Sequence, residues 1–256
     1  MNGATNKGRS RKRSDIVVDE IKRWIMNDEI APGRRLPQER DLMARFNVSK
    51  GTIREALKSL EVQGLVRIRT GPSGGASVTV VSYARAMELL SNYFYTQSIT
   101  IADIYAVRKL VEPEVAEMVA GRLSDSQILA LEHTIDICAG EPAGGADGRA
   151  QRIAELDFHD VLADACPNPL LSFFCRFANS LLKNLAVCEE IYDRPQNDLT
   201  REGHAYHAAL LTALREGNGA TARRLMRDHI AAAEQIMLDS EAKLERRFVL
   251  PGDDAR

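Results

Sequence analysis

The chain has 256 residues, and its 34 Lys and Arg nearly balance 36 Asp and Glu, for a formal net charge of −2. This length predicts two domains. No apolar run approaches the roughly 20 residues of a membrane helix, and the polar, basic N-terminus argues against a secretory signal peptide. We therefore expect a cytoplasmic protein with no membrane partner. The absence of CxxC spacing predicts core thiols for the four cysteines, which are Cys138, Cys166, Cys175 and Cys188.

Charge is distributed unevenly along the chain. Residues 1–80 contain 16 Lys or Arg and 9 Asp or Glu, a net charge of +7, and the remaining residues carry a net charge of −9. This asymmetry favours a polyanion as the partner of the first segment and a different task for the second. Residues 1–13 form a basic arm without apolar periodicity. We expect this arm to be disordered in the free protein, where it either follows phosphates or only aids solubility.

Residues 34–69 have the pattern of a basic helix-turn-helix followed by a β-wing. Apolar residues recur at helical spacing at Leu42, Phe46, Val48, Ile53, Ala56, Leu57 and Leu60. Ser49 is suited to cap the second helix. The first turn of that helix, residues 50–54, carries small, hydroxyl and basic side chains off the apolar stripe. Such a turn is typical of a recognition helix, whose N-terminal end enters the major groove.

A β-hairpin is predicted directly after this second helix. Gly64 is suited to end the helix, and residues 65–69 and 76–81 alternate as two short strands. The segment between them, Thr70-Gly71-Pro72-Ser73-Gly74-Gly75, is the predicted hairpin tip. A glycine-rich tip can approach the DNA backbone or minor groove closely.

Residues 14–81 resemble the winged helix-turn-helix of the GntR family of bacterial transcription regulators. The shared pattern is Pro32-Gly33, Leu36-Pro37-x-Glu39-Arg40-x-Leu42, Val48-Ser49, Thr52-Ile53-Arg54-Glu55-Ala56-Leu57 and Gly64-Leu65. The resemblance implies that Arg40, Ser49, Lys50 and Arg54 contact operator DNA and that the wing tip, with Thr70, Gly71 and Gly74, reaches the minor groove. Further candidates for DNA contact, which are basic residues of this stretch or belong to the first turn of the second helix, are Arg34, Arg35, Gly51 and Thr52. The alternative is that Arg40 and Arg54 only pair with Glu39 and Glu55 on a solvated surface. Family members often have Arg or Thr where this chain has Lys50-Gly51, so its base preference can differ.

The segment after about residue 83 is predicted to be wholly helical. Apolar residues recur at three- and four-residue spacing, and alternating β-branched runs are absent. The predicted helices are Ala84–Thr96, Ile101–Leu123, Asp125–Ala139, Gln151–Ala165, Leu170–Ile191, Leu199–Glu216 and Ala220–Arg247. We expect a mainly α protein, in which a winged helix-turn-helix of three helices and a two-stranded wing is joined to an all-α bundle of six or seven antiparallel helices. The interior of such a bundle is a usual place for a ligand or metal site.

Histidine placement gives a second functional signal. Glu155 and His159 are four residues apart and share one helix face, His204 and His207 are three apart on a later helix, and His229 lies on the final helix. A carboxylate and three imidazoles from three helices suit a divalent metal, namely zinc, nickel, iron or manganese. The alternative for each histidine taken alone is an ordinary core or surface residue.

The helical segment resembles the FCD effector domain of the FadR subfamily within the same family. The matching residues are Glu155-x-x-Phe158-His159-x-x-Leu162, Asn168-Pro169-Leu170-Leu171, His207-x-x-Leu210, Gly217-Asn218, His229 and Arg108-x-x-x-Glu112-Pro113. In many FCD proteins an Asp and three His bind a divalent metal. The resemblance therefore implies a site, with zinc first among the candidate metals, that is formed by Glu155, His159, His207 and His229. Glu in place of Asp is a departure, and the alternative is a metal-free polar pocket in which the histidines bind the ligand directly.

A metal with open positions in a dry bundle would attract an anion, most naturally a carboxylate. Arg108 is a candidate second clamp on that carboxylate, and the alternative is an intrahelical pair with Glu112. Tyr105 and His204 are further candidates for the effector pocket. The implied effector is a small organic acid.

Together these features predict a homodimeric repressor that binds operator DNA and is controlled by a small carboxylate, rather than an enzyme. The protein would be associated with the nucleoid when bound to DNA. The alternatives are a metal-sensing regulator, a metal-dependent hydrolase and an architectural DNA-binding protein. The expected layout is a basic arm at 1–13, a winged helix-turn-helix at 14–81, a linker with a first linking helix at 82–98, an FCD-type domain at 99–247 for effector binding and dimerisation, and a tail at 248–256.

Overall fold

A computed structural model describes residues 11–27, 29–71, 74–94, 96–140, 145–195 and 197–248. Within these ranges the chain forms eleven helices and one two-stranded antiparallel sheet, which confirms the mainly α fold class. The chain divides into two compact units, Met1–Tyr95 and Thr96–Arg256. This division falls inside the predicted linker, and the finer domain boundaries stay predictions. Among the described residues, no helix combines the length and the apolar character needed to cross a membrane.

The first unit contains the predicted helix-turn-helix and wing. Its elements are α1 (Arg13–Met26), α2 (Glu39–Phe46), α3 (Lys50–Val62), β1 (Val66–Arg69), β2 (Gly75–Val78) and α4 (Tyr83–Phe94). One apolar cluster holds α1, α2, α3 and the wing together, and it includes Ile21, Leu42, Ile53 and Leu60, each 0% exposed. The apolar stripe read from the sequence is therefore the buried face of α2 and α3. Of the predicted arm, residues 1–10 lie outside the described residues, and α1 already begins at Arg13.

Two local conformations fix the turn of the helix-turn-helix. Asn47 ends α2 with a left-handed backbone, φ 50°, which asparagine tolerates better than most residues. Ser49 then caps α3, because its side chain accepts a hydrogen bond from the Thr52 backbone N–H at 3.3 Å. The predicted cap is confirmed, and the first turn of α3 is directed away from the core.

The wing is shorter at its second strand than the sequence suggested. β1 pairs with β2 in antiparallel register from Val66 opposite Val78 to Arg69 opposite Gly75. The predicted continuation from residue 79 to 81 is wrong. Val80 is 73% exposed, so extension of the strand there would not be stabilised by burial of its side chain. Pro72 and Ser73 of the predicted tip lie outside the described residues.

The second unit is a helical bundle, and its described residues contain no strand. Its elements are α5 (Ile101–Val119), α6 (Asp125–Cys138), α7 (Gly145–Ala165), α8 (Pro169–Asn184), α9 (Ala186–Tyr192), α10 (Asn197–Arg215) and α11 (Gly219–Phe248). Helix α5 packs against α11, α8 and α7, and α10 packs against α11. Helices α5, α7, α10 and α11 therefore pack around a common interior.

The single helix predicted over residues 170–191 is wrong, because the chain forms two helices that meet at Leu185. Leu185 is extended, with ψ 127°. Leu182 and Cys188 on either side of it are both 0% exposed. In one continuous helix, residues six apart face directions about 120° apart. The break allows both side chains to enter the core. Helix α7 also begins at Gly145, earlier than the predicted Gln151.

We expect Thr100→Ala to destabilise the second unit by about 1 kcal/mol. Thr100 and Asp103 form a complete capping box at the start of α5, in which the Asp103 N–H donates to the Thr100 hydroxyl at 3.1 Å and the Thr100 N–H donates to the Asp103 carboxylate at 3.0 Å. The measurement is the urea midpoint of the full chain. Thr100→Ser, which keeps the hydroxyl, is the control. Equal midpoints for the alanine variant and the wild type would contradict the role of the cap.

Candidate DNA-binding surface and metal centre

The basic residues at the predicted DNA-contact positions of the helix-turn-helix are exposed. The side chains of Arg40, Lys50 and Arg54 are 90%, 60% and 64% exposed. Arg34 and Arg35 are exposed in the segment before α2. Positive side chains that leave the apolar stripe and face solvent are available to phosphates and base edges. The assignment of individual DNA contacts stays a prediction.

Glu39 lies beside two of these basic residues. Arg54 Nε donates to both Glu39 carboxylate oxygens, at 3.2 and 3.3 Å, and Lys50 Nζ lies 4.0 Å from the same carboxylate. The alternative in which Arg54 pairs with Glu39 therefore exists in the free protein. The pair is half exposed, so its net contribution to stability is small and DNA phosphates can compete with it. Arg40 instead lies 3.6 Å from Asp41.

The wing tip needs glycine for steric reasons. Gly71 and Gly75 have φ angles of 107° and 137°, which disfavour residues with a side chain. A Cβ on Gly74 would collide with the backbone oxygens of Arg69 and Gly71. Thr70 and Gly71 are exposed, and Gly74 is half-buried. With Arg35 and Arg54, they border a groove between α3 and the wing. The described residues of the tip therefore lie beside the recognition helix.

Three histidines from three helices meet in the interior of the second unit. His159 of α7, His207 of α10 and His229 of α11 are 1%, 1% and 3% exposed. Their Nε2 atoms form a triangle with sides of 3.3 Å (159–207), 3.1 Å (207–229) and 3.2 Å (159–229). The three lie within the distance expected of ligands to one metal ion. Residues separated by up to 70 positions in the chain thus converge on one point.

The size of this triangle matches the coordination of a divalent cation. With metal–nitrogen distances of about 2.0–2.1 Å, neighbouring ligands of a tetrahedral ion lie about 3.3–3.4 Å apart, and ligands at right angles lie about 2.8–3.0 Å apart. The observed sides of 3.1–3.3 Å lie between these values. The donor set therefore fits a cation held by three imidazoles, with further positions open.

Neighbouring groups orient two of the imidazoles. His159 Nδ1 lies 2.5 Å from a carboxylate oxygen of Glu112, so its Nε2 faces the other histidines. The ring of Phe158 stacks on His207 at 4.0 Å between centroids. Burial, and then the neighbouring histidines, lower the pKa of His207 well below its usual value. Burial and His159 likewise lower the pKa of His229. Both rings are therefore neutral near pH 7, the form that binds a metal.

Glu155, the predicted carboxylate ligand, is not part of the histidine cluster in this arrangement. It is 8% exposed and pairs with Arg152 one turn earlier on α7. Arg152 also donates to the Thr200 hydroxyl of α10 at 2.8 Å. A Cβ on Gly203 of α10 would collide with the Glu155 carboxylate, so glycine leaves the space that this carboxylate occupies. The ligand role of Glu155 stays a prediction, and it requires the side chain to leave Arg152.

A small cavity adjoins the cluster, with a volume of about 20 Å³. Its lining consists of Tyr105, Arg108, Arg152, Glu155, Leu156, His159, Tyr192, Leu199, His229, Ala233 and Met237. Two of the predicted effector residues, Tyr105 and Arg108, are therefore in the wall. Arg108 also forms the intrahelical pair that was the alternative, with Nε 2.5 Å from Glu112. His204 is half-buried and is not part of the wall.

Two residues of this site were not singled out by the sequence analysis. Glu112 was considered only as a partner of Arg108, yet it also faces His159. Arg152 lies inside the predicted helix Gln151–Ala165 but was not considered as a site residue. One signal was available for each: Arg108 and Glu112 are four residues apart, and Arg152 and Glu155 are three apart. Both spacings place the pair on one helix face.

Comparisons with known proteins give one family match for each of the two units. Residues 103–232, just over half of the chain, match the model of the FCD domain, and residues 13–74 match the model of the bacterial regulatory proteins of the gntR family. The HTH-type transcriptional repressor NanR of Enterobacter sp. (strain 638) is 28% identical over 225 residues, covering 86% of this chain and 83% of that protein. NanR of Salmonella newport (strain SL254) is 29% identical over 226 residues, with 86% and 83% covered.

Among solved structures, Streptococcus agalactiae GntR covers 87% of this chain and 99% of its own, with a TM-score of 0.56 and 23% identity, which supports the fold. The two family matches cover the helix-turn-helix and most of the helical unit. The chain therefore belongs to the GntR family of bacterial regulatory proteins, in the subfamily that carries an FCD domain, and is a DNA-binding transcription regulator rather than an enzyme.

Proposed function

We propose that this regulator is a homodimeric repressor whose affinity for its operator is controlled by a small carboxylate, bound at a divalent metal ion in the FCD domain. His159, His207 and His229 hold the metal, with zinc first among zinc, nickel, iron and manganese, and Glu155 is the fourth ligand. The observation that carries this proposal is the buried triangle of Nε2 atoms with sides of 3.1–3.3 Å.

The chemistry of the three donors supports a metal over a purely polar site. A neutral imidazole carries one N–H, on either Nδ1 or Nε2. Three Nε2 atoms at these distances therefore cannot all be satisfied by hydrogen bonds to one another. A divalent cation accepts all three lone pairs and supplies an open, Lewis-acidic position to a carboxylate oxygen. Tyr105 and Arg108 in the same wall offer a hydroxyl and a guanidinium to the rest of that ligand.

The small volume of the cavity supports a response in which the surrounding helices or side chains move when the effector binds. A volume of about 20 Å³ holds about one water molecule, so an organic acid enters only when the surrounding helices or side chains shift. A ligand that binds the widened arrangement better than the closed one shifts the equilibrium between them by its differential affinity. In a dimer, this shift changes the spacing of the two recognition helices and hence the fit to successive major grooves. The relatives are named as transcriptional repressors, which supports repression rather than activation.

The test is metal analysis of the purified full chain, followed by a thermal-shift series with small carboxylates before and after chelation. We expect about one metal ion per chain and a rise in melting temperature that at least one carboxylate produces only in the metal-loaded protein. Operator binding, measured on a sequence selected from random duplexes, should weaken with that carboxylate. Operator binding that follows metal alone would instead identify a metal sensor, and a metal-free protein would overturn the proposal.

A further inference from the structure

Two buried ion pairs border the cavity, and their charges cancel. Arg108 pairs with Glu112, and Arg152 pairs with Glu155. The side chains of the first pair are 2% and 1% exposed, and those of the second are 3% and 10% exposed. The other residues of the cavity wall are uncharged or are histidines. The described residues around the cavity therefore supply two positive and two negative charges before any ligand enters.

A divalent cation at the histidines would leave this buried set with two excess positive charges. Uncompensated charge in a protein interior is strongly unfavourable. Opposite charge must therefore enter with the cation. Glu155 cannot supply it without loss elsewhere, because its carboxylate already neutralises Arg152, and it cannot bind both partners fully at once. A move of Glu155 to the cation leaves the Arg152 guanidinium without its anion.

The surroundings of Arg152 hold the guanidinium in place after such a move. Its Nη2 donates to the Thr200 hydroxyl at 2.8 Å, a contact independent of Glu155. Gly203, on α10 with Thr200, leaves a space that the Glu155 carboxylate fills. This space would become empty if the carboxylate moved to the cation. Arg152 is itself part of the cavity wall. The result would be a fixed guanidinium beside an opened space, a geometry suited to a carboxylate.

We propose that Glu155 exchanges between Arg152 and the metal, and that the released Arg152 binds a second carboxylate of the effector, so that the effector class is a dicarboxylate. This inference rests on the proposed function. One carboxylate of the ligand occupies the open metal position, and the other replaces Glu155 on Arg152. The two negative charges of the ligand then balance the two charges of the cation.

The test compares wild type with Arg152→Met by calorimetric titration of zinc into the chelator-stripped full chain. Without Arg152, Glu155 has no competing partner, so zinc binding should tighten by at least about threefold, in keeping with the cost of breaking a buried ion pair. Arg149→Met is the matched control, because Arg149 lies one turn earlier on α7 with its side chain 38% exposed. It should change zinc affinity by less than about twofold.

The second measurement uses zinc-loaded protein and four probes: acetate, malonate, succinate and glutarate. In the wild type and in Arg149→Met, at least one dicarboxylate should bind at least about tenfold more tightly than acetate. In Arg152→Met, this preference should fall to within about twofold of acetate. Arg152→Lys, which keeps the charge without the paired donors, should retain only part of the preference. Loss of a residue that only supports the fold is not expected to strengthen zinc binding while it weakens dicarboxylate binding.

The outcomes separate this inference from the function on which it rests. If the wild type takes up neither zinc nor nickel, iron or manganese, both are overturned. If the wild type binds zinc and acetate but shows no preference for any dicarboxylate, the assignment of effector class and of Arg152 fails while the metal-anchored carboxylate site stands. Weaker zinc binding in Arg152→Met, or a full dicarboxylate preference in Arg152→Lys or Arg152→Met, likewise overturns the exchange of Glu155 alone.

Discussion

Replacing His159 and His229 together by alanine should weaken metal binding by more than about 100-fold, since loss of residues that merely support metal ligands already costs about 10- to 100-fold. Only His207 of the three would remain, and one imidazole cannot hold a cation in a buried site. The measurement is competition for zinc with a chromophoric chelator, using the full chain. The recognition helix α3 should be unaffected, so affinity for DNA in the absence of carboxylate should match that of chelated wild type.

His133→Ala is the matched control for this pair. His133 lies on α6, is exposed and is not part of the cluster. Its replacement should leave zinc affinity within about twofold of wild type, as expected of a surface substitution away from special features. Full metal content in the double variant, with a metal-dependent thermal shift preserved, would show that the cation is held elsewhere. The ligand set His159, His207 and His229 would then be wrong.

Arg54→Ala should remove most of the discrimination between operator and unrelated DNA. A bidentate contact from Arg to a base is worth about 1–3 kcal/mol of discrimination, so the ratio of the two affinities should fall by at least about fivefold. Arg54 is poised for this role by its 64% side-chain exposure on the first turns of α3 and by the Glu39 carboxylate that holds its Nε at 3.2 Å. Fluorescence anisotropy at one fixed salt concentration measures both affinities.

Two further variants separate base reading by Arg54 from its charge. Arg54→Lys keeps the charge but lacks the paired donors, so it should retain affinity for unrelated DNA while losing discrimination. Arg23→Ala removes a positive charge from the exposed side of α1, and it should leave the ratio unchanged. An Arg54→Ala variant that binds operator and unrelated DNA in the wild-type ratio would restrict Arg54 to pairing with Glu39.

Local patterns were sufficient to predict most of the fold. The spacing of Ile53, Ala56, Leu57 and Leu60 identifies the buried face of α3, because a helix repeats its faces every three to four residues whatever surrounds it. The break at Leu185 has no such local sign. It depends on which directions the core offers to Leu182 and Cys188, and that information lies in the packing of other helices.

Some contacts of the candidate metal site could be predicted from the sequence, and others could not. His159, His207 and His229 were identified by helical spacing and by the resemblance to FCD domains, and the structure places them together. The pairing of Glu155 with Arg152 was not predictable. The sequence shows two opposite charges three residues apart, a common arrangement on solvated helices. The burial of this pair depends on packing against α10, where Arg152 donates to the Thr200 hydroxyl and Gly203 leaves room for Glu155.

The chain positions of the three histidines have a consequence for the lifetime of the protein. The proposed cation, bound to residues 48 and 22 positions apart, would join α7, α10 and α11 as a cross-link does, and unfolding would have to release it. At a free metal concentration of about 1,000 times Kd, this linkage would add about 4.1 kcal/mol to the free energy of unfolding. Chains made during metal shortage would unfold more often and be degraded sooner. The amount of regulator in the cell would then follow metal supply, even where the effector concentration is constant.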